Sequence, residues 1–263
     1  MNNILCPTDL SETAQKGVNY AAVMAKRFNG SITLLHVLEK QETKGDGPSR
    51  AKIALEGERA MVKDAPLNVH LREGEFMHEI TEESRNGHAL MVCATHGLRG
   101  LKQSLFGAHI LKLVRKVEIP SMVVQKNSPD SNDFGTIVLP VAGHSGIDHL
   151  LNAVCLVAKH FGSMVHIYQL NRPGEEASEE LLRNKKRMVD RLTTEGIPHK
   201  QVEEPSRSFS VGFSVPTIEY SKRVHAGCIA IMSVPSEEYR YIADAEKERL
   251  LTNDAGIPVL CAH

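Results

Sequence analysis

The sequence contains no tryptophan, and aromatic residues make up 5% of its 263 residues. Proteins that stack exposed nucleic-acid bases need aromatic side chains, so this scarcity argues against a single-strand binder. The chain also lacks a surplus of either charge, because 31 Lys and Arg face 32 Asp and Glu, for a formal net charge of −1. Binding to a polyanion requires a basic surplus, and we therefore expect no nucleic-acid partner.

Long apolar runs and paired cysteines are missing as well. No stretch approaches the ~20 apolar residues of a membrane span. The N-terminus has no basic segment followed by an apolar one, so we expect neither a membrane partner nor a signal peptide. The five cysteines are spread singly, and four lie in apolar runs. That spacing is typical of buried thiols in a reducing compartment, and we expect a cytoplasmic protein.

The sequence does contain an internal repeat whose period is the length of a domain. Segments match in the same order: 4–9 with 137–142, 25–31 with 158–163, and 119–124 with 257–262. Between the copies lies a polar segment, 127–134, that contains proline and aspartate and reads as a linker. We therefore predict two domains, 1–126 and 135–263, each long enough for its own core.

Short apolar strands alternate with helices in each copy, which is typical of β-α-β units. In the first copy the predicted strands are 3–6, 31–37, 67–72, 89–94 and 121–125, and the predicted helices are 12–28, 50–63, 76–86 and 104–117. In the second copy the predicted strands lie near 136–141, 163–169, 198–203, 228–233 and 257–262, and a charged helix is predicted over 236–250. The predicted fold class is α/β, with two tandem domains that each contain a five-stranded parallel sheet with helices on both faces.

In open parallel sheets, ligands bind beyond the carboxyl ends of the strands. Pro7, Thr8 and Asp9 follow the first strand, and a glycine-containing segment, 95–100, follows the fourth, with Gly107 at the start of a helix. Glycines and a helix N-terminus would form a phosphate cradle, or they are turn and capping residues. The role of Asp9 is also open, since it would either cap a helix or contact a metal or a ribose.

The chain resembles the universal stress proteins, in the tandem form with two such domains. The resemblance rests on Ile4-Leu5-Cys6-Pro7-Thr8-Asp9, Leu34-Leu35-His36-Val37, Val92-Cys93-Ala94-Thr95-His96-Gly97, and Gly107 with Ile119-Pro120. It implies a Rossmann-like fold of the adenine nucleotide alpha hydrolase type. The family's nucleotide-binding branch carries Gly-x-x-Gly, nine residues, then Gly and Ser or Thr. Here Ala94 replaces the first Gly and Ala108 replaces the hydroxyl residue, while the register is intact.

The resemblance implies a site for ATP, ADP or AMP in the first copy, with Asp9 near a phosphate-bound Mg2+ and the backbone of Val37 at the adenine edge. Loss of a hydroxyl donor at Ala108 costs roughly 1.5–3 kcal/mol, so we expect weaker triphosphate binding than in better-matched members. His109 would replace that donor or fill the pocket. The implied site residues are Pro7, Thr8, Asp9, Val37, Ala94, His96, Gly97, Gly107, Ala108 and His109.

The second copy has Ala142 where Asp9 stands and no glycine pair after its fourth strand. We interpret it as a structural copy that forms an intramolecular pseudo-dimer with the first, and association of two chains into a homodimer is left open. The predicted function is a nucleotide-binding regulatory protein of the stress response that acts on protein partners. The alternatives are an interaction scaffold without nucleotide and a slow ATPase. No nucleophile lies beside a base, and Arg99 is the single candidate for catalysis, so the non-enzymatic functions are favoured.

Overall fold

A computed structural model describes residues 2–40, 42–95, 109–130, 133–174, 176–206, 212–235 and 242–263. The chain divides into two compact units, Met1–Asp130 and Ser131–His263. The division lies inside the polar segment 127–134.

The N-terminal unit is an open, parallel α/β sheet. Its strands are β1 (Ile4–Pro7), β2 (Ile32–Leu38), β3 (Leu67–Glu73), β4 (Leu90–Thr95) and β5 (Ser121–Gln125), in the spatial order β3-β2-β1-β4-β5. Its described helices are α1 (Glu12–Phe28), α2 (Gly47–Met61), α3 (Phe76–Ser84) and α4 (Ile110–Lys116). The chain reverses its direction of travel across the sheet between β1 and β4, which places a topological switch at the carboxyl end of β1.

The burial of each strand follows from its place in the sheet. Every residue of β1, β2, β4 and β5 is buried, whereas in the edge strand β3 only Leu67 is buried and the other residues are half-buried or exposed. Continuous apolar strands belong in a sheet that helices cover on both faces. The continuous apolar runs in the sequence therefore predicted correctly that these strands are buried.

Helix α1 has the predicted bounds because its two ends carry strong local signals. The Ser11 hydroxyl accepts a hydrogen bond from the N–H of Ala14 at 3.1 Å, and Asn29 closes the helix in the left-handed conformation. Helix α2 begins at Gly47, three residues before its predicted start. Pro48 lies in its first turn, where proline is tolerated because the first N–H groups of a helix have no partner within it.

The C-terminal unit repeats this architecture. Its strands are β6 (Thr136–Pro140), β7 (Met164–Asn171), β8 (His199–Pro205), β9 (Cys228–Met232) and β10 (Val259–Ala262), in the order β10-β9-β6-β7-β8. Its described helices are α5 (Asp148–Phe161), α6 (Glu179–Thr194), α7 (Ser214–Arg223) and α8 (Ala243–Leu251). Two tandem parallel α/β units confirm the predicted fold class.

Two predicted helices extend beyond the described residues. Residues 104–108 of the predicted helix 104–117 and residues 236–241 of the predicted helix 236–250 lie outside them. The remaining parts correspond to α4 and α8. All five cysteines are buried, and none of them forms a disulfide bond. Among the residues described, no helix has the length and apolar character needed to span a membrane.

Candidate functional site

The segment that follows β1 forms a tight loop at the switch point of the N-terminal sheet. The N–H of Thr8 still bonds the carbonyl of Leu35 on β2 at 2.8 Å. The chain then turns, because the Thr8 hydroxyl accepts from the N–H of Leu10 at 3.0 Å and the Asp9 carboxylate accepts from the N–H of Ser11 at 3.1 Å. Asp9 therefore shapes the turn, and Ser11, not Asp9, caps α1. This outcome corrects the first of the two interpretations of Asp9.

Leu10 is strained in this loop. Its φ is 60°, in the left-handed region that a leucine rarely adopts. Such a conformation costs on the order of 1–3 kcal/mol and persists where surrounding contacts fix it, commonly at ligand sites. Here the fixing contacts are the hydrogen bonds of Thr8 and Asp9. The loop is therefore held in one conformation before any ligand arrives.

The pairing of β2 with β1 ends at Leu35, and no described residue bonds the main chain of Val37 on that side. Leu35 bonds towards β1, and Val37, two residues further along β2, points its N–H and C=O to the same side. The groups that would continue this ladder are engaged elsewhere. The carbonyl of Thr8 contacts the His36 ring at 2.8 Å, and the N–H of Leu10 donates to the Thr8 hydroxyl. The backbone of Val37 therefore faces the space beyond the end of β1.

His36 places a buried acceptor near the same loop. Its Nδ1 lies 2.8 Å from the Thr8 carbonyl, which can only accept, so Nδ1 is the protonated nitrogen. Its Nε2 is buried without a hydrogen-bond partner in the described part of the chain. The nearest carboxylate oxygen, on Glu42, is 4.0 Å away. A buried polar atom without a partner is costly, and a water molecule, an ion or a ligand would supply the missing bond.

Glu58 of α2 is the second polar side chain of this kind. It is 8% exposed, lies near the Thr8 hydroxyl, and has a buried Oε2 for which the described residues provide no partner. Burial, and then the charge of Asp9, raise the pKa of Glu58 from 4.5 to about 7, against the lowering effect of the nearby Thr8 hydroxyl. Near neutral pH both the protonated and the ionised form of this carboxyl group are therefore populated.

Sequence reasoning missed Glu58. The signal was present, because Ala51, Leu55 and Glu58 are spaced 4 and 3 residues apart on one face of α2, and all three are buried. A carboxylate on the apolar face of an amphipathic helix is a departure from the expected pattern. Such departures mark functional positions.

Ala94, at the end of β4, packs against α1. A Cβ built on Gly17 would lie 3.3 Å from the Ala94 N and 3.4 Å from its Cβ. The Ala94 methyl group is therefore a contact to the helix, and Gly17 makes the close approach of α1 to β4 possible. Ala94 in place of glycine is accommodated by this packing.

His109 is exposed, and its ring centroid is 6.4 Å from that of Phe76 at the start of α3. Its neighbour Ile110 is 1% exposed and belongs to the core.

Four predicted site residues lie outside the described residues: His96, Gly97, Gly107 and Ala108. The structure thus brings together Pro7, Thr8, Asp9 and Val37 at the end of β1 and adds His36 and Glu58. Within the described ranges no cluster of three or more metal-binding side chains occurs.

A parallel sheet in the order β3-β2-β1-β4-β5, with helices between successive strands, defines a Rossmann-like domain, and ligands of such folds bind at the switch point. Residues 1–125 match the model of the Universal stress protein family. The match spans the N-terminal unit, which belongs to the universal stress protein family. No curated protein sequence is significantly similar to it.

Solved structures resemble the whole chain. A universal stress protein from Archaeoglobus fulgidus DSM 4304 is 18% identical, with a TM-score of 0.73, and the match covers 99% of this chain and 98% of that one. A functionally unknown protein from Pseudomonas aeruginosa PAO1 is 15% identical, with a TM-score of 0.59 and coverage of 99% and 92%. The cytoplasmic domain of a prokaryotic cation chloride cotransporter is 12% identical, with a TM-score of 0.52 and coverage of 98% and 94%. At these identities the likeness concerns the fold, which fits the tandem form.

Proposed function

We propose that this universal stress protein binds an adenine nucleotide, ATP, ADP or AMP, at the carboxyl end of β1 in its N-terminal unit, and that the nucleotide regulates its binding to protein partners. The observation that carries the proposal is the main chain of Val37, whose N–H and C=O face the space beyond Thr8. The adenine edge presents an acceptor, N1, beside a donor, the N6 amine, which matches one N–H and one C=O. The guanine edge has the opposite order at these positions.

The unsatisfied side chains support the same ligand class. The His36 Nε2 accepts a hydrogen bond, and the Glu58 carboxyl accepts one when ionised. A nucleoside offers several donors, namely the amine of the base and the hydroxyls of the ribose. Contacts to it would relieve the cost of these buried polar atoms.

Asp9 is positioned for ribose or for a Mg2+ ion on the phosphates. Its Oδ1 accepts from Ser11, and its second oxygen leaves an acceptor for such a partner. The loop already holds Leu10 in its left-handed conformation without a ligand. Ligand binding therefore costs the loop little conformational entropy.

Calorimetric titration with ATP, ADP and AMP, with and without Mg2+, tests the proposal, with GTP as the comparison. We expect GTP to bind at least about tenfold more weakly, because two hydrogen bonds would be mismatched. The variant Asp9→Asn keeps an oxygen for the Ser11 N–H but loses the charge, and we expect it to weaken Mg2+-dependent binding. Asp64→Asn, on the exposed surface, is the matched control and should bind as the wild type does.

The alternatives give different results. No heat with any adenine nucleotide, together with no nucleotide released from the purified protein on denaturation, would identify an interaction scaffold. Turnover of ATP that Asp9→Asn abolishes would identify a slow ATPase. Equal affinity for ATP and GTP would contradict the assignment of Val37 to the adenine edge.

A further inference from the structure

The C-terminal unit contains a cavity at the position that corresponds to the proposed nucleotide site. It lies at the carboxyl ends of β6, β7 and β9, where Pro140, Leu170 and Met232 line it. These strands occupy the same places in their sheet as β1, β2 and β4 do in theirs. The cavity volume is about 100 Å³. An engineered protein cavity of about 150 Å³ holds benzene, so a small organic molecule is the appropriate size class.

The body of the cavity is apolar. Ile147 and Leu150 at the start of α5, Leu181 and Met188 of α6, and Ile231 of β9 form its walls. These side chains offer no hydrogen bond to a phosphate or a ribose; the polar lining residues besides His144 and Lys247 are Tyr168, Arg172 and Thr217. The space therefore fits a hydrocarbon or aromatic group, whose transfer from water is favourable.

One end of the cavity carries a fixed hydrogen-bond acceptor. The His144 side chain lines the cavity, the residue is 8% exposed, and Nδ1 is buried with no hydrogen-bond partner among the residues described. The Pro235 backbone lies close enough to the ring to raise the pKa of His144 slightly. Burial, and then the charge of Lys247, lower the pKa of His144 to about 3. At neutral pH the imidazole is therefore uncharged, and in the tautomer that carries its proton on Nε2 the buried Nδ1 is a bare acceptor.

The loop that carries this imidazole is itself built into the core. The side-chain amide of Asn184, which is fully buried on α6, donates to the carbonyls of Ala142 and His144, at 2.8 Å each. Two hydrogen bonds from one buried amide hold the loop in a single conformation. The backbone that carries the His144 imidazole is therefore held in place before a ligand binds.

Lys247 lies at the same end. It is 2% exposed, lines the cavity, and its ammonium group donates to the carbonyl of Met232 at 2.8 Å. A hydroxyl group complements both side chains, because its hydrogen donates to Nδ1 while its oxygen lies favourably near the ammonium charge. A carboxylate would offer no hydrogen to Nδ1.

We propose that the C-terminal unit binds a small, mostly apolar alcohol or phenol, whose hydroxyl donates a hydrogen bond to Nδ1 of His144. This site is separate from the proposed nucleotide site and does not depend on it. The second copy would then be a second ligand-binding domain with a different specificity. The sequence did not indicate this, because Ala142 in place of Asp9 removes the family pattern without revealing the cavity that the fold encloses.

The test uses the full chain with 13C-labelled methionine methyl groups and two probes of nearly equal shape, para-cresol and para-xylene. Met188 and Met232 line the cavity, whereas Met24 and Met122 lie in the N-terminal unit. We expect para-cresol to shift the first two signals saturably and to leave the other two unchanged. Para-xylene should bind at least about fivefold more weakly, because it leaves Nδ1 without a donor.

The variant His144→Leu should abolish the preference for para-cresol over para-xylene. His160→Leu is the control, since His160 lies in the same unit, bonds the carbonyl of Leu156 and does not line the cavity. Equal affinity of the wild type for both probes, a preference that survives in His144→Leu, or no shift of the Met188 and Met232 signals would each overturn the proposal. The comparison of probes on the wild type decides the matter even if His144→Leu does not fold.

Discussion

Replacement of Glu58 by glutamine should stabilise the protein, and more so as the pH rises. The pKa of this buried carboxyl group is raised from 4.5 to about 7, so the folded state holds a proton that the unfolded state releases between these values. The contribution of Glu58 to stability therefore falls as the pH rises through this window. One pKa unit corresponds to about 1.4 kcal/mol, and the full shift to about 3 kcal/mol.

Glutamine keeps the shape of the side chain and an acceptor for the Thr8 hydroxyl but carries no charge. We expect the difference in unfolding free energy between Glu58→Gln and the wild type to grow from near zero at about pH 4 to about 3 kcal/mol at about pH 8. Urea denaturation followed by circular dichroism across this range measures it. Glu56→Gln is the matched control on the same helix, because Glu56 is exposed and pairs with Arg59 at 3.4 Å. Its effect should stay within about 0.5 kcal/mol.

A difference for Glu58→Gln that does not change with pH would refute the reasoning, because it would mean that the carboxyl group titrates normally in the folded state. A destabilisation that is largest at high pH would also contradict it, since that result requires a partner that stabilises the ionised form. The same response from Glu56→Gln would show that the effect arises from the net charge of the protein and not from burial.

The remaining predictions concern helix capping, packing and cysteine burial. Ser11→Ala should lower the unfolding free energy by about 1 kcal/mol through loss of the cap of α1, and an unchanged denaturation midpoint would contradict this role. Gly17→Val should destabilise by roughly 1–3 kcal/mol because its side chain meets Ala94, whereas Gly57→Ala, where nothing lies within 4 Å of the added Cβ, should stabilise by about 0.5–1 kcal/mol. All five cysteines are buried, so Ellman's reagent should label them only after denaturation, and rapid labelling of the native protein would count against the burial.

The sequence predicted the fold well because its signals are local. The Ser11 cap and the apolar face of α1 fix that helix without reference to the rest of the chain. The continuous apolar runs of β2 and β4 reflect burial on both sides of a sheet. The early start of α2 at Gly47 was missed because the apolar periodicity begins later than the first turn that Pro48 occupies.

The candidate site was predicted in part. Pro7, Thr8 and Asp9 follow a strand directly, so the sequence alone placed them at the ligand-binding edge. His36 and Glu58 come from other elements, and their unsatisfied atoms are visible only when α2 and β2 meet at Thr8. The spacing of residues in the sequence does not predict that α2 and β2 approach Thr8, because their approach depends on long-range packing.

What the sequence by itself determined is the alternation of strands and helices, the duplication of that pattern, and the loop that follows the first strand. These follow from side-chain periodicity and from residues that act on their immediate neighbours. Over the ranges that the structure describes, the tertiary structure alone decided which polar atoms lose their water without gaining a partner, at Oε2 of Glu58 in one unit and at Nδ1 of His144 in the other. Desolvation depends on all the elements that surround a group, and therefore only the folded chain defines it.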